Sequence, residues 1–243
     1  MKRCRMNGLF IIGIRLRRDE VESFDEYPFN IPIIRELDEV RFEKPVTFIV
    51  GENGSGKSTI IEAIAVSVGL SAEGGTRNMV YETVDSTSEL CNYITLIKSG
   101  AKPKWKYFLR AESFYTMANA YEGYREPYER GIHAQSHGEA FNSLFDGFSE
   151  NGLYLMDEPE SALSPRNQMR LLSRIHRLAQ SGAQFIIVTH SPILLSYYDA
   201  AILNADDLLR PVKYKDTEIY DIYRRFSEQP EKMQRLLFDE NDR

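Results

Sequence analysis

The residues best suited to chemistry form a glycine-rich stretch that ends in a lysine and a serine. Residues 51–58 read GENGSGKS, which fits the pattern G-x-x-x-x-G-K-[ST]. Glycines let such a loop curl so that successive backbone N–H groups face a phosphate, and a following helix amino terminus adds partial positive charge. The spacing predicts that Lys57 reaches the β- and γ-phosphates of a nucleotide and that Ser58 holds Mg²⁺. The predicted nucleotide-binding residues here are Gly51, Glu52, Asn53, Gly54, Ser55, Gly56, Lys57, Ser58 and Thr59.

An acidic pair follows a second apolar segment further along the chain. Residues 153–158 read LYLMDE, an apolar strand that ends in Asp157 and Glu158. This order predicts that Asp157 holds Mg²⁺, directly or through water, as the second Walker element of P-loop NTPases does. Glu158 is placed to orient or deprotonate an attacking water, which makes it the predicted catalytic base. Taken alone, two acids after a strand are equally typical of a solvated turn.

A histidine provides the third candidate group. His190 follows the apolar segment FIIVT, Phe185 to Thr189, and open α/β sheets place ligand-contacting groups at the carboxyl ends of their strands. A histidine there can donate a hydrogen bond to a γ-phosphate and sense its presence. One β-α-β crossover separates Glu158 from His190, so we expect the two residues on neighbouring strands.

The elements that must position these groups alternate between strand and helix. An apolar strand, Val46 to Val50, precedes the glycine-rich loop, and a helix follows it, with Gly69 as a plausible stop. LYLM, a helix from about Pro165 to Ala179 and FIIVT form a β-α-β series, which indicates parallel strands covered by helices. We expect strands and loops over residues 71–106, a small helical subdomain within residues 107–150, the strand AAILN and a helical part from Asp216.

Composition limits the classes that remain. The chain has 243 residues and a net charge of −6, which suits one α/β domain and disfavours a general nucleic-acid coat. No stretch approaches the roughly 18 consecutive apolar residues of a membrane helix, which disfavours an integral membrane protein. Cys4 and Cys91 lie far apart and suit a reducing compartment, so we expect a cytoplasmic protein. Residues 1–18 hold six basic and no acidic side chains: Lys2, Arg3, Arg5, Arg15, Arg17 and Arg18. These side chains could meet phosphates, or they could line a solvated strand edge.

The segments GENGSGKST, LYLMDEPESALS and VTHSP together resemble the ABC-type ATPases, including their soluble genome-maintenance relatives. The resemblance implies a P-loop NTPase fold of ABC type. This fold has a mainly parallel core sheet flanked by helices, a small antiparallel β part and a small helical subdomain, here at about residues 113–150 of a single domain. It also implies ATP and Mg²⁺ as cofactors, and Glu158, His190 and Lys57 as catalytic residues.

In that family a signature loop, usually LSGGQ, precedes the second Walker element by about twenty residues. Residues 135–139, QSHGE, stand at this distance and retain Ser136 and Gly138, whereas His137 and Glu139 depart from the pattern. The departures resemble a group of small stand-alone ATPases rather than transporter subunits. The resemblance implies that Ser136, Gly138 and Glu139 contact ATP held by the opposite protomer of a homodimer.

The family comparison leaves several assignments open. Residues 161–164, SALS, resemble the D-loop that crosses the dimer interface, and Glu112 is the nearest candidate for a Gln-loop residue. Either Tyr27 or Phe29 could stack on adenine. The aromatic cluster that includes Phe108 could stack bases, although core packing is favoured.

Three functions remain as alternatives. The first is an ATPase that couples its nucleotide state to a nucleic acid or protein partner. The second is an ATP-gated interaction switch with little turnover, and the third is the energy subunit of a transporter.

Overall fold

A computed structural model describes residues 9–75, 88–110, 145 and 147–241. The strands are β1 (Ile11–Leu16), β2 (Glu39–Arg41), β3 (Val46–Val50), β4 (Ile94–Lys98), β5 (Trp105–Arg110), β6 (Gly152–Asp157), β7 (Gln184–Val188), β8 (Ala201–Asn204) and β9 (Arg210–Pro211). The α-helices are α1 (Pro32–Arg35), α2 (Lys57–Ser67), α3 (Pro165–Gln180), α4 (Pro192–Leu195), α5 (Glu218–Glu228) and α6 (Pro230–Asn241). Short 3-10 helices occupy Arg18–Glu20, Glu89–Asn92, Pro159–Ala162, Ala205–Asp207 and Tyr214–Asp216.

The strands form two sheets. The larger sheet has the order β5-β6-β7-β3-β8-β9, in which β5, β6, β7, β3 and β8 run parallel and β9 runs antiparallel to β8. The smaller sheet is antiparallel, with the order β2-β1-β4. The predicted α/β architecture, a mainly parallel core sheet with a small antiparallel part, is confirmed.

The larger sheet is buried on both faces. Every residue of β3, β6 and β7 is buried, as expected for parallel strands that are covered on two sides and read as continuous apolar runs. Side chains alternate between the faces, since Ile49 and Leu155 join a core with α2, whereas Phe48 and Tyr154 join a core with α3. The two cores hold the carboxyl ends of the central strands at a common edge.

The helices predicted around the site are confirmed. Helix α2 begins at Lys57 and ends at Ser67, two residues before Gly69, whose φ is +83°. Helix α3 buries Leu171, Ile175 and Leu178, whose spacing of three to four residues places them on one face. The predicted helical part after Asp216 corresponds to α5 and α6. Among the described residues, no helix is both long and apolar enough to cross a membrane.

One boundary of the sequence interpretation is wrong. Residues 107–110 do not belong to a helical subdomain, because they complete β5, which pairs in parallel with β6. Phe108 and Leu109 have no exposed surface, so Phe108 packs in the core and cannot stack a base. Most of the predicted helical subdomain at about 113–150 lies outside the described residues.

A buried glutamine joins the two sheets. The Gln184 side chain has no exposed surface, and its Oε1 accepts hydrogen bonds from the backbone N–H groups of Phe10 and Ile11 at 2.7 and 2.9 Å. Its Nε2 donates to the Ile11 carbonyl at 2.7 Å. One amide thus satisfies three backbone groups where β1 approaches β7. These two strands belong to different sheets and do not pair with each other.

We expect Gln184→Leu to lower the free energy of unfolding by about 3 kcal/mol, because buried backbone groups that lose their partners pay their full desolvation cost. Urea denaturation followed by circular dichroism measures this loss. The exposed Gln234 of α6 provides the control, since Gln234→Leu should change stability by no more than about 0.5 kcal/mol. Equal effects of the two substitutions would contradict the role given to Gln184.

Candidate nucleotide-binding site

The glycine-rich loop connects β3 to α2 in a conformation that depends on glycine. Gly56 has φ +95° at the amino terminus of α2, and a Cβ there would lie 2.8 Å from Ile33 Cγ2 and 2.9 Å from Ile31 Cγ2. Gly51 has φ +148°, and a Cβ there would lie 2.8 Å from Ala205 Cβ. No side chain caps the first turn of α2, which leaves a helix amino terminus suited to an anion.

Lys57 lies within its own loop. Its Nζ donates to the carbonyl oxygens of Gly51 at 2.8 Å and Glu52 at 2.6 Å, and the residue is 5% exposed. Burial lowers the pKa of Lys57, and the charges of nearby carboxylates, first among them Asp206, oppose this shift. The ammonium group is therefore held at the loop by polar contacts rather than extended into solvent.

Ser58 and Asp157 meet although they come from distant parts of the sequence. The Ser58 hydroxyl donates to Asp157 Oδ1 at 3.2 Å, and Asp157 is 7% exposed. Ser58 occupies the second position of α2, and Asp157 is the last residue of β6. The structure thus brings together the two residues that the sequence analysis assigned to a metal.

Glu158 has a left-handed backbone at the end of β6. Its φ and ψ are 49° and 53°, and its N–H donates to the Val188 carbonyl of β7 at 3.0 Å. Glu158 Oε1 lies 3.7 Å from His190 Nε2, and Ser161 Oγ donates to Glu158 Oε2 at 3.4 Å. Because β6 and β7 are adjacent, the prediction that Glu158 and His190 follow neighbouring strands is confirmed.

Glu160 is a residue that sequence reasoning missed. Its Oε1 accepts a hydrogen bond from the His190 backbone N–H at 2.5 Å, so it ties the turn after β6 to the turn after β7. Burial raises the pKa of Glu160, and hydrogen bonds, including that from His190, oppose this shift. The sequence signal that could have identified Glu160 is its place as a third acidic residue, close after Asp157 and Glu158.

Two further contacts support the same edge of the sheet. Ser191 Oγ donates to Gln168 Oε1 at 2.6 Å, and Gln168 Nε2 donates to the Leu163 carbonyl at 2.9 Å, which links α3 to both turns. Asp206, after β8, accepts the Glu52 N–H with both carboxylate oxygens at 3.0 Å. No local sequence pattern marks Gln168 or Asp206, because both act through long-range contacts.

A cavity of about 180 Å³ opens beside the start of the loop. Its walls include Gly51, Glu52, His190, Asp206 and the amino-terminal residue Glu218 of α5. It lies at the carboxyl ends of β3, β7 and β8, where open α/β sheets bind their ligands.

The structure does not support, or does not describe, several predicted site residues. Ser136, Gly138, Glu139 and Glu112 lie outside the described residues. Phe29 is wrong as an adenine-stacking residue, because it is 6% exposed and packs edge-on against Tyr93 in the core. Tyr27 is 65% exposed and remains a prediction.

The described part of the basic cluster contacts its own chain. Arg15 pairs with Glu39, and Arg17 Nε lies 3.3 Å from Glu20 Oε2. The Arg18 guanidinium stands 4.6 Å from the centre of the Phe24 ring. These contacts favour the solvated strand edge over a phosphate-binding surface.

The donor set fits a magnesium nucleotide. Mg²⁺ in such sites takes one or two protein oxygens and completes its octahedral coordination with phosphates and water, and Ser58 and Asp157 offer oxygens of this kind. Within residues 9–75, 88–110 and 147–241, no group of three or more His, Cys, Asp or Glu side chains is arranged to hold a metal ion by itself. The glycine turns and the uncapped α2 suit the phosphates.

Two family models match the chain in succession. Residues 28–137 match a family described as "AAA domain", and residues 143–196 match one described as "AAA domain, putative AbiEii toxin, Type IV TA system". The first match contains the glycine-rich loop, and the second contains Asp157, Glu158 and His190. Both matched families are described as AAA domains, and neither match alone covers half of the chain, so the chain is similar to P-loop ATPase domains.

Three proteins show more distant likenesses. A "Putative ABC transporter ATP-binding protein" from Sulfurisphaera tokodaii is 23% identical over 177 residues, or 66% of this chain, and the match spans only 37% of that relative's length. The SMC head domain from Thermotoga maritima is 21% identical, with 68% of this chain and 88% of that chain covered, at a TM-score of 0.38. The cbiO1 protein from Clostridium perfringens is 15% identical, with 83% and 90% covered, at a TM-score of 0.45. Both scores are below 0.5, so the fold assignment rests on the strand order described above.

We expect Glu160→Gln to stabilise the protein increasingly as pH rises from about 4 towards neutrality. The pKa of Glu160 is raised on folding, so the native state binds the extra proton across this interval and wild-type stability falls as pH increases. The glutamine cannot ionise, yet its amide oxygen can still accept the His190 N–H. Urea denaturation at several pH values gives the difference between variant and wild type.

The exposed Glu231 of α6 provides the control, and Glu231→Gln should show no comparable trend with pH. If the stability difference between Glu160→Gln and wild type stays constant from acid to neutral pH, the pKa of Glu160 is not raised by burial, and the prediction is wrong.

Proposed function

We propose that this chain binds ATP with Mg²⁺ and hydrolyses it as a homodimer that closes around two nucleotides. The observation that carries the proposal is the contact between Ser58 and Asp157, because it joins the glycine-rich loop to the acidic strand end. The matches to two families of AAA domains support the same conclusion.

The glycine-rich loop and Lys57 bind the phosphates in this proposal. Backbone N–H groups of residues 51–59 surround the phosphate chain, and the Lys57 ammonium exchanges its contacts with the Gly51 and Glu52 carbonyls for phosphate oxygens. Ser58 and Asp157 hold the metal. When bound there, Mg²⁺ would supply positive charge that offsets the charge of the phosphates.

Glu158 and His190 act on the γ-phosphate side. Glu158 has a half-exposed side chain, so its carboxylate can orient a water and accept its proton. His190 Nε2 makes no hydrogen bond within the described residues and can donate one to the γ-phosphate. Glu160 holds the His190 backbone, which keeps the two groups at one edge of the sheet.

The dimer completes the site in this proposal. Ser136, Gly138 and Glu139 contact the γ-phosphate held by the opposite protomer, and residues 161–164 cross the interface beside Glu158. The hydrogen bonds from Ser161 to Glu158 and from Gln168 to the Leu163 carbonyl support a coupling between these interface residues and the catalytic edge. The closed dimer presents a different surface from the open one to a protein or nucleic-acid partner.

We expect Glu158→Gln and Lys57→Ala to separate turnover from binding. Glu158→Gln should retain ATP affinity but lower phosphate release at least about 100-fold, because it removes the general base. Lys57→Ala should weaken ATP binding by about tenfold or more, because charge-assisted hydrogen bonds are lost. Fluorescent-nucleotide titration and steady-state phosphate release measure the two effects, with the exposed Glu22→Gln as control. Unchanged turnover in Glu158→Gln would exclude Glu158 as the base.

We also expect Glu158→Gln to accumulate a dimer in the presence of Mg-ATP, because the closed state cannot be released by hydrolysis. Sedimentation velocity with Mg-ATP, with ADP and without nucleotide measures the shift. The double variant Glu158→Gln with Lys57→Ala should remain monomeric under all three conditions. A monomer in every condition for both variants would exclude the sandwich dimer.

A further inference from the structure

Four side chains at the proposed metal site form a ring that is completed by one turn of the α2 backbone between Ser58 and Glu62. Ser58 and Glu62 lie one turn apart on the same face of α2, and Arg110 of β5 is the register partner of Asp157 of β6. Ser58 Oγ donates to Asp157 Oδ1 at 3.2 Å, and Arg110 Nη1 donates to Glu62 Oε2 at 2.9 Å. Arg110 Nε lies 4.0 Å from Asp157 Oδ2, which closes the ring.

The ring fixes Arg110 from several directions. The Glu62 side chain is 8% exposed, and its other oxygen accepts the Ser88 N–H at 3.0 Å, so both oxygens of this buried carboxylate have partners. Arg110 Nη1 also lies within donating distance of the Ala72 carbonyl, at 3.2 Å. A planar guanidinium held at one end by Glu62 presents its Nε edge to Asp157 in a fixed direction.

We propose that Arg110, held by Glu62, is a positioning residue that orients the Asp157 carboxylate towards Ser58 for the divalent cation. The inference rests on the proposed function, since it assigns a role at the same metal site. The Glu62 charge balances that of Arg110, so the pair acts by orientation and adds no net charge that would repel a cation. Groups that orient a metal-binding carboxylate in this way strengthen metal binding markedly.

The competing explanation is that Arg110 and Glu62 only join β5 to α2. Such a role predicts a loss of stability when the pair is removed but no specific effect on the metal. A positioning role predicts a loss in the metal-dependent part of ATP binding, while ATP binding without metal is retained. The ratio of ATP affinities with Mg²⁺ and with EDTA therefore separates the two explanations.

The test uses the full chain with Arg110→Gln and Glu62→Gln combined, which leaves the net charge unchanged and allows the two amides to hydrogen-bond. Fluorescent ATP is titrated with Mg²⁺ and with EDTA, and thermal melting reports folding. We expect the Mg²⁺-dependent gain in affinity to fall about tenfold, while the affinity in EDTA stays within about twofold of wild type. Arg110→Lys keeps the positive charge but loses the planar guanidinium, so the Mg²⁺-dependent gain in ATP affinity of this variant should fall about threefold.

The positioning role would be overturned if the paired variant kept the wild-type Mg²⁺-dependent gain in ATP affinity while Asp157→Asn abolished it. The proposed function would then remain intact. A wild-type gain in Asp157→Asn itself would overturn both proposals, because the metal would not be bound at Asp157. If the paired variant does not fold, Arg110→Lys decides the question, and a wild-type gain in that variant would overturn the role of Arg110.

Discussion

The hydrogen bond between Ser58 and Asp157 spans 99 positions of the sequence, and the rest of the proposed site is arranged around it. It can form only because β3 and β6 both run parallel to β7, which lies between them. In this arrangement the loop after β3 and the turn after β6 open towards the same side. The Glu158 N–H, bonded to the Val188 carbonyl, extends this alignment by one residue beyond the strand.

The packing of the sheet makes this alignment rigid. Both faces of the central strands are covered, by α2 with the antiparallel sheet on one side and by α3 on the other. A register shift would move apolar side chains from one core into the other and would leave buried backbone groups unpaired. Gln184 adds to this constraint, because its amide groups fit only one position of β1 relative to β7. The sheet thus holds Ser58 within hydrogen-bond distance of Asp157 and keeps Glu158 close to His190.

The sequence predicted the elements that carry strong local patterns. Val46–Val50 and α3 could be located from their apolar spacing, and the glycine-rich loop identified the strand and helix on either side of it. The boundary at residue 107 was wrong because an aromatic-rich segment resembles a helix and a buried strand equally well, and only pairing with β6 decides between them. Phe29 was misjudged for a related reason, since its exposure depends on Tyr93 and other residues distant in sequence.

The left-handed backbone of Glu158 has a consequence for how this position can vary. A non-glycine residue in this region costs about 1 kcal/mol, and glycine would adopt the same conformation without that penalty. Selection for thermal stability alone would therefore favour glycine between Asp157 and Pro159. The cost arises from the backbone and would apply to any side chain here, so Glu158 is held in a conformation that glycine would adopt more easily, and its proposed role as the base offers a reason to keep a side chain at this position.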